Sequence, residues 1–141
     1  MAILGSKLKI LVVDDEQDVR ERIKSILERR GYQVFTAGDG QEGLDKVKSD
    51  DIDIVYCDIV MPNMDGFEFL KKFREFNIKA EVIMVTGYST VDKCVEAIEN
   101  NACGYLIKPL KAEDILKNLA QAQRRICEKR EMIKRVFPDK G

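Results

Sequence analysis

Asp14, Asp15, Asp58, Thr86 and Lys108 are the residues whose types and positions could do chemistry together. Each group follows a short apolar run directly: ILVV before the aspartate pair, IVYC before Asp58, VIMV before Thr86 and YLI before Lys108. Adjacent carboxylates repel, and repel more strongly beside a buried strand where water is scarce. Three carboxylates and one lysine sum to about −2, the charge that one divalent cation cancels. Oxygen donors without histidine or cysteine suit a hard ion, and Mg²⁺ takes a few carboxylates while keeping several waters. The competing reading is that Asp14 and Asp15 cap the helix that follows, whose N-terminus favours negative charge. It leaves Asp58 and Lys108, at the ends of two other apolar runs, unexplained.

The elements that must position these groups alternate in type. Strands are expected at 8–13, 32–37, 52–57, 80–86 and 104–107. Between them lie helical spacings. Val19, Ile23, Ile26 and Leu27 mark the first, which ends near Gly31. Asp39 and Glu42 have the spacing of a capping box and open a helix through Val47. Residues 67–76 form another after the Pro62–Gly66 loop. Val91, Val95, Ile98 and Ala102 mark the apolar face of a fourth, and a long helix follows Pro109. Alternating β and α elements with short connections predict one doubly wound α/β domain with a parallel sheet. Strands one, three and four, dense in Val and Ile, are the central ones. In such folds functional groups gather at the carboxyl ends of the strands, where the five residues fall.

Composition narrows the chemistry further. The 141 residues are 45% hydrophobic and 35% charged with a net charge of −1, which points to no nucleic acid and no anionic membrane surface. The apolar runs ILVV and VIMV are far short of the ~20 residues of a membrane span, and MAILGSKLK lacks the pattern of a secretory peptide. There is no histidine, which removes His-based triads, His metal sites and a phosphohistidine-carrier role. Cys57, Cys94, Cys103 and Cys127 form no CxxC pair and read as reduced thiols of a cytoplasmic protein.

The set VVDDE, YCDIVMPNMDGFEFL, VIMVTGYST and GYLIKPL, in this order, resembles the receiver domain of two-component response regulators over residues 7 to about 122. The resemblance implies a flavodoxin-like sheet of strand order 2-1-3-4-5. It implies Asp58 as phosphoacceptor from a histidine kinase or phosphotransfer protein. Mg²⁺ would be held by Asp15, by Asp14 largely through water, by Asp58 and by the backbone carbonyl of Val60. Lys108 and Thr86 would contact phosphoryl oxygens, and Gly87 would leave room for the group. Pro62 and Gly66 would shape the acceptor loop, and Pro109 would follow a cis bond. Thr86 and Tyr105 would form the switch, and Tyr88 lies where such proteins tune dephosphorylation. Such a protein is a phosphoacceptor with self-catalysed phosphorylation and dephosphorylation rather than an enzyme acting on other molecules.

The same reading divides the chain into a receiver at 1–122 and a helical extension at 123–141. From Lys111 to Val136 nothing breaks the helix, ~39 Å at the helical rise. Leu119, Ile126 and Ile133 repeat every seven, with Ile115, Ala122 and Val136 beside them and Lys129 interrupting. A homodimer through this helix and a solvated tail are both compatible with so short a heptad run. FPDKG alone follows, so the chain reads as a single-domain regulator or as a receiver cut from a larger protein. Its downstream partner would be a protein or output domain, with no direct nucleic-acid or membrane contact. Two rivals fit less well. A dehalogenase-type phosphatase would place DxD after strand one, and a flavin carrier would place a Ser/Thr/Gly-rich phosphate loop there. The remaining alternative is a degenerate receiver acting as a binding or dimerisation module without phosphorylation.

Overall fold

The computed structural model describes residues 8–77, 79–87 and 90–140. Five strands, β1 (Lys9–Val13), β2 (Gln33–Ala37), β3 (Ile54–Asp58), β4 (Glu81–Thr86) and β5 (Gly104–Ile107), alternate with five helices. These are α1 (Gln17–Glu28), α2 (Gly40–Ser49), α3 (Gly66–Phe76), α4 (Val91–Glu99) and α5 (Ala112–Val136). All strand pairs are parallel, in the order β2-β1-β3-β4-β5. The expected doubly wound sheet, its central strands and its long last helix are all present.

Alternation along the strands builds a core on each face of the sheet. Leu11, Val13, Val55, Cys57 and Met84 meet Leu44 of α2 and Phe69 and Phe73 of α3. Ile10, Val12, Ile54, Tyr56, Ile83 and Val85 meet Ile23 and Leu27 of α1 and Ile115, Leu119, Ala122 and Ile126 of α5. Tyr56 is fully buried, and its hydroxyl donates to the Ile115 carbonyl (2.9 Å), which ties β3 to α5 without an unmatched polar atom. All four cysteines are free.

Local chemistry sets the helix ends. Asp39 accepts from the Glu42 N–H (2.8 Å), and Glu42 reaches back to the Gly38 N–H (2.8 Å), so the expected capping box forms one residue wider than its usual version. Asp65 and Thr90 cap α3 and α4 with their side chains alone, accepting from the Glu68 and Lys93 N–H groups. Gly31, at φ +91, takes the left-handed turn that lets the chain leave α1.

Most of the apolar stripe read for α4 faces solvent. Val91 is 80% exposed and Ile98 66%, Val95 is exposed too, and only Ala97 is buried in the helix. The helix meets the core through buried Ala97, and Ala102, just past its end, packs there too. Helical spacing identifies side chains that share a face, not what covers that face. Ile107 on edge strand β5 is exposed as well.

The long helix divides in two. Ile115, Leu119, Ala122 and Ile126 are buried against the sheet, whereas Met132, Ile133 and Val136 are exposed. Past residue 122 polar contacts continue at the amino-terminal edge of the sheet. Glu81, 2% exposed, accepts from Arg125 Nε (2.7 Å) and is also paired with Lys129. Arg130 lies 3.9 Å from Asp53, which in turn accepts from the Lys9 N–H.

Candidate functional site at the carboxyl ends of the strands

Register brings the chemistry together. Val13 is level with Cys57 and Cys57 with Met84, so Asp14 and Asp58 leave neighbouring strands at one height. Thr86 is level with Ile107, and the Lys108 N–H donates to the Thr86 carbonyl (2.8 Å), which starts the lysine side chain at the same rim. The Lys108–Pro109 peptide is cis, as the resemblance implied.

The Lys108 ammonium lies 3.1 Å from Asp14 Oδ2, 3.1 Å from Asp58 Oδ2 and 2.7 Å from Glu16 Oε1. Asp58 is 3% exposed; its Oδ1 accepts from the Val60 N–H (3.2 Å) and its Oδ2 from Lys108. Asp14 Oδ1 accepts from the Glu16 N–H (2.8 Å). The buried Asp14 Oδ2 faces the ammonium charge yet has no hydrogen bond among the described residues. The two aspartates therefore do not cap α1. Glu16 is the N-cap residue of that helix and makes no side-chain cap there.

Electrostatics follow from this crowding. Burial, and then the Asp14 charge, push the Asp58 carboxyl up to about 6 against the pull of Lys108. Burial raises Asp14 too. For Lys108, burial alone would favour the neutral amine, but Glu16, Asp14 and Asp58 outweigh it and hold the ammonium above its ordinary range. One lysine serves three acids, so the pocket is short of positive charge. Carboxylate oxygens of Asp14, Asp15, Glu16 and Asp58 all lie within 4.8 Å of one another. That oxygen-only set, with one buried oxygen unmatched, has the chemistry a hard divalent cation requires.

Thr86 is fully buried at the end of β4. Tyr105, half-buried on β5, packs on the α2 and α3 core, and its buried hydroxyl has no hydrogen-bond partner among the described residues. A Cβ placed on Gly87 would meet, among the described residues, nothing nearer than Lys108 Cδ at 4.0 Å, so these residues leave space beside Thr86. At Gly66 a Cβ would strike the Asp58 carbonyl oxygen, and the Gly66 N–H donates to Ile59 O (2.7 Å). Only glycine lets α3 begin directly against the strand end that carries Asp58. Tyr88 lies outside the described residues. Two participants had no role in the sequence reading. Glu16 stood out as the third acid of the DDE cluster but received no role of its own; Arg20, which donates to the Asp14 carbonyl (2.7 Å), carries no comparable signal.

Fold and site together define a doubly wound α/β domain with a buried aspartate, a lysine and an acidic pocket at one rim of its sheet. Residues 10–120 match the response regulator receiver domain family, and the chain belongs to that family, the receivers of two-component systems. It is 41% identical over 118 residues to the transcriptional regulatory protein ZraR of Klebsiella oxytoca, covering 84% of this chain and 27% of that protein. It is 37% identical to the chemotaxis protein CheY of Treponema pallidum, covering 82% of this chain and 83% of the other. Among solved structures, a CheY-like receiver domain from Methanospirillum hungatei superposes with a TM-score of 0.82 at 31% identity, covering 86% of this chain and 98% of that one. NtrX of Brucella abortus, in complex with ATP, gives 0.83 at 29% identity, over 88% of this chain and 28% of that one. The chain thus spans about a quarter of ZraR and NtrX and most of CheY. No helix among the described residues is long and apolar enough to cross a membrane.

Proposed function

We propose that Asp58 accepts a phosphoryl group from a phosphohistidine on a partner kinase or phosphotransfer protein. An Asp58 carboxylate oxygen attacks phosphorus, the N–P bond breaks, and the imidazole leaves with the bonding pair and takes up a proton. The observation that carries this reading is the buried Asp58 carboxylate, 3.1 Å from Lys108 and beside Asp14, in a pocket with too little positive charge. Mg²⁺ held by Asp14, Asp15, Asp58 and the Val60 carbonyl would neutralise the pocket and the charge on the transferring group. Lys108 and Thr86 bind phosphoryl oxygens, and the chain's contribution is positioning and charge rather than new covalent machinery.

Phosphorylation turns about −1 at Asp58 into about −2 and adds acceptor oxygens. Thr86 and Lys108 then gain partners in one of two conformations, and the population moves toward it; a shift from mostly inactive to mostly active needs ~5 kcal/mol of differential binding. Tyr105 is suited to follow Thr86, because its buried hydroxyl gains a hydrogen bond by moving. The surface altered is α4, β5 and the first half of α5, where Val91, Val95, Ile98 and Ile107 stand ready for a protein partner. Residues 1–122 carry this function, and 123–141 extend it along α5.

Incubation with a small-molecule phosphodonor, with and without Mg²⁺, tests the assignment by intact mass. A gain of one phosphoryl group that needs Mg²⁺ and is lost in Asp58→Ala is expected. A full gain in Asp58→Ala would place the acceptor elsewhere. No gain under any condition, together with no Mg²⁺ binding, would leave a receiver that works only as a binding surface.

A further inference from the structure

The Lys108 ammonium donates hydrogen bonds to Glu16 and Asp58 and lies against the Asp14 charge, so three carboxylates share it. Two of them, Asp14 and Asp58, are buried at strand ends; the third, Glu16, is the nearest at 2.7 Å and has a side chain 60% exposed. Glu16 stands on a fixed base. Its N–H is held by Asp14 Oδ1, and its carbonyl accepts the Arg20 N–H (3.2 Å) as the first bond of α1. Its carboxylate does not cap the helix, so its hydrogen bond goes to Lys108.

A phosphoryl oxygen arriving on Asp58 competes with the neighbouring carboxylates for the Lys108 ammonium, and its strongest rival is Glu16, the acid nearest to Nζ. Asp14 cannot turn to water from inside the pocket, whereas Glu16 can. We propose that Glu16 is a positioning residue that parks Lys108 over Asp14 and Asp58 in the unphosphorylated protein and is displaced by the incoming phosphoryl oxygen. The proposal rests on the reading of Asp58 as phosphoacceptor and concerns how strongly the phosphorylated state is favoured. Glu16 stabilises the unphosphorylated partner of that equilibrium, so its removal shifts the balance toward phosphoryl binding.

Beryllofluoride, a phosphoryl mimic, is titrated by ¹⁹F NMR into the full chain and its variants, each at MgCl₂ shown to saturate it. Glu16→Gln is expected to bind the mimic roughly two- to five-fold more tightly, the range a partly exposed ion pair supports. Glu21→Gln, on the same helix but bonded to Gln17, is expected to match wild type. In a Lys108→Gln background the gain from Glu16→Gln is expected to vanish, because the effect acts through the lysine. NMR relaxation of the Lys108 Cε–Nζ group in the mimic-free protein is expected to show lower order in Glu16→Gln. Unchanged Lys108 order, no gain in affinity, or an equal gain without Lys108 would overturn the proposal while leaving Asp58 as acceptor. A wild-type protein that takes up no beryllofluoride would overturn the acceptor reading and the competition with it.

Discussion

The two ends of the sheet each bury acid, and they treat it in opposite ways. At the carboxyl end, Asp14 and Asp58 share one lysine with Glu16, burial prevails, and Asp58 is pushed up to about 6. At the amino end, Glu81 is equally buried, and burial alone would raise it. Lys129 and Arg125 more than reverse this and hold it below the ordinary carboxylate range. An acid matched by two cations is a structural tie. Acids that outnumber their cation are held ready for charge from outside, which is how a site differs from a strut.

The largest effect tests the strut. Ending the chain after Ala122 strips Glu81 of both cations and removes buried Ile126. Leaving a buried charge without partners costs about 3–5 kcal/mol, and thermal unfolding is expected to fall by about 10 °C or more. Glu81→Gln should then reverse sign: destabilising in the full chain, stabilising in the shortened one. Equal effects in both would mean that α5 does not hold Glu81.

The site behaves in the other direction. Folded Asp58 keeps its proton up to about pH 6, whereas the unfolded chain releases it near 3.8. Between those values the folded state binds more protons, so Asp58 removes stability as pH rises through that window. Asp58→Asn is therefore expected to stabilise the protein at pH 7.5 by up to about 3 kcal/mol and to change little below pH 4. Urea midpoints at the two pH values measure this. For Glu81 the sign is opposite: its contribution is present above the ordinary glutamate range and is lost as pH falls through its lowered folded value.

Mg²⁺ should relieve the same shortage. At about a hundred times its dissociation constant it adds ~2.7 kcal/mol at pH 7.5. A clearly smaller rise in unfolding temperature is expected in Asp58→Asn, and an equal rise would put the ion elsewhere. The smallest effect belongs to α4, where Val91 and Ile98 face water. Val91→Thr or Ile98→Thr should move stability by no more than about 0.5 kcal/mol, and a larger loss would show that the face is covered.

Much of this contrast was legible in the sequence at one end only. Asp14, Asp58 and Lys108 each follow a strand-like run, and the parallel topology that those runs imply sends all their ends to one rim. The Asp39 and Glu42 capping pair was legible because its parts are three residues apart. Glu81 was not, because its partner Arg125 lies 44 residues away and a lone acid opening a strand has no local signature. The exposure of the α4 face was not legible for a related reason: spacing records amphipathicity, while coverage depends on which neighbour stands opposite. Glu16 lay in plain view, but its role depends on where Lys108 ends, 92 residues on.

The most direct test of the contrast is a ¹³C NMR titration of the Asp58 and Glu81 carboxyl groups in the metal-free protein. The account predicts Asp58 titrating at about 6 and Glu81 below an ordinary glutamate. Asp58 titrating at or below the usual aspartate value, or Glu81 above the glutamate one, would contradict it.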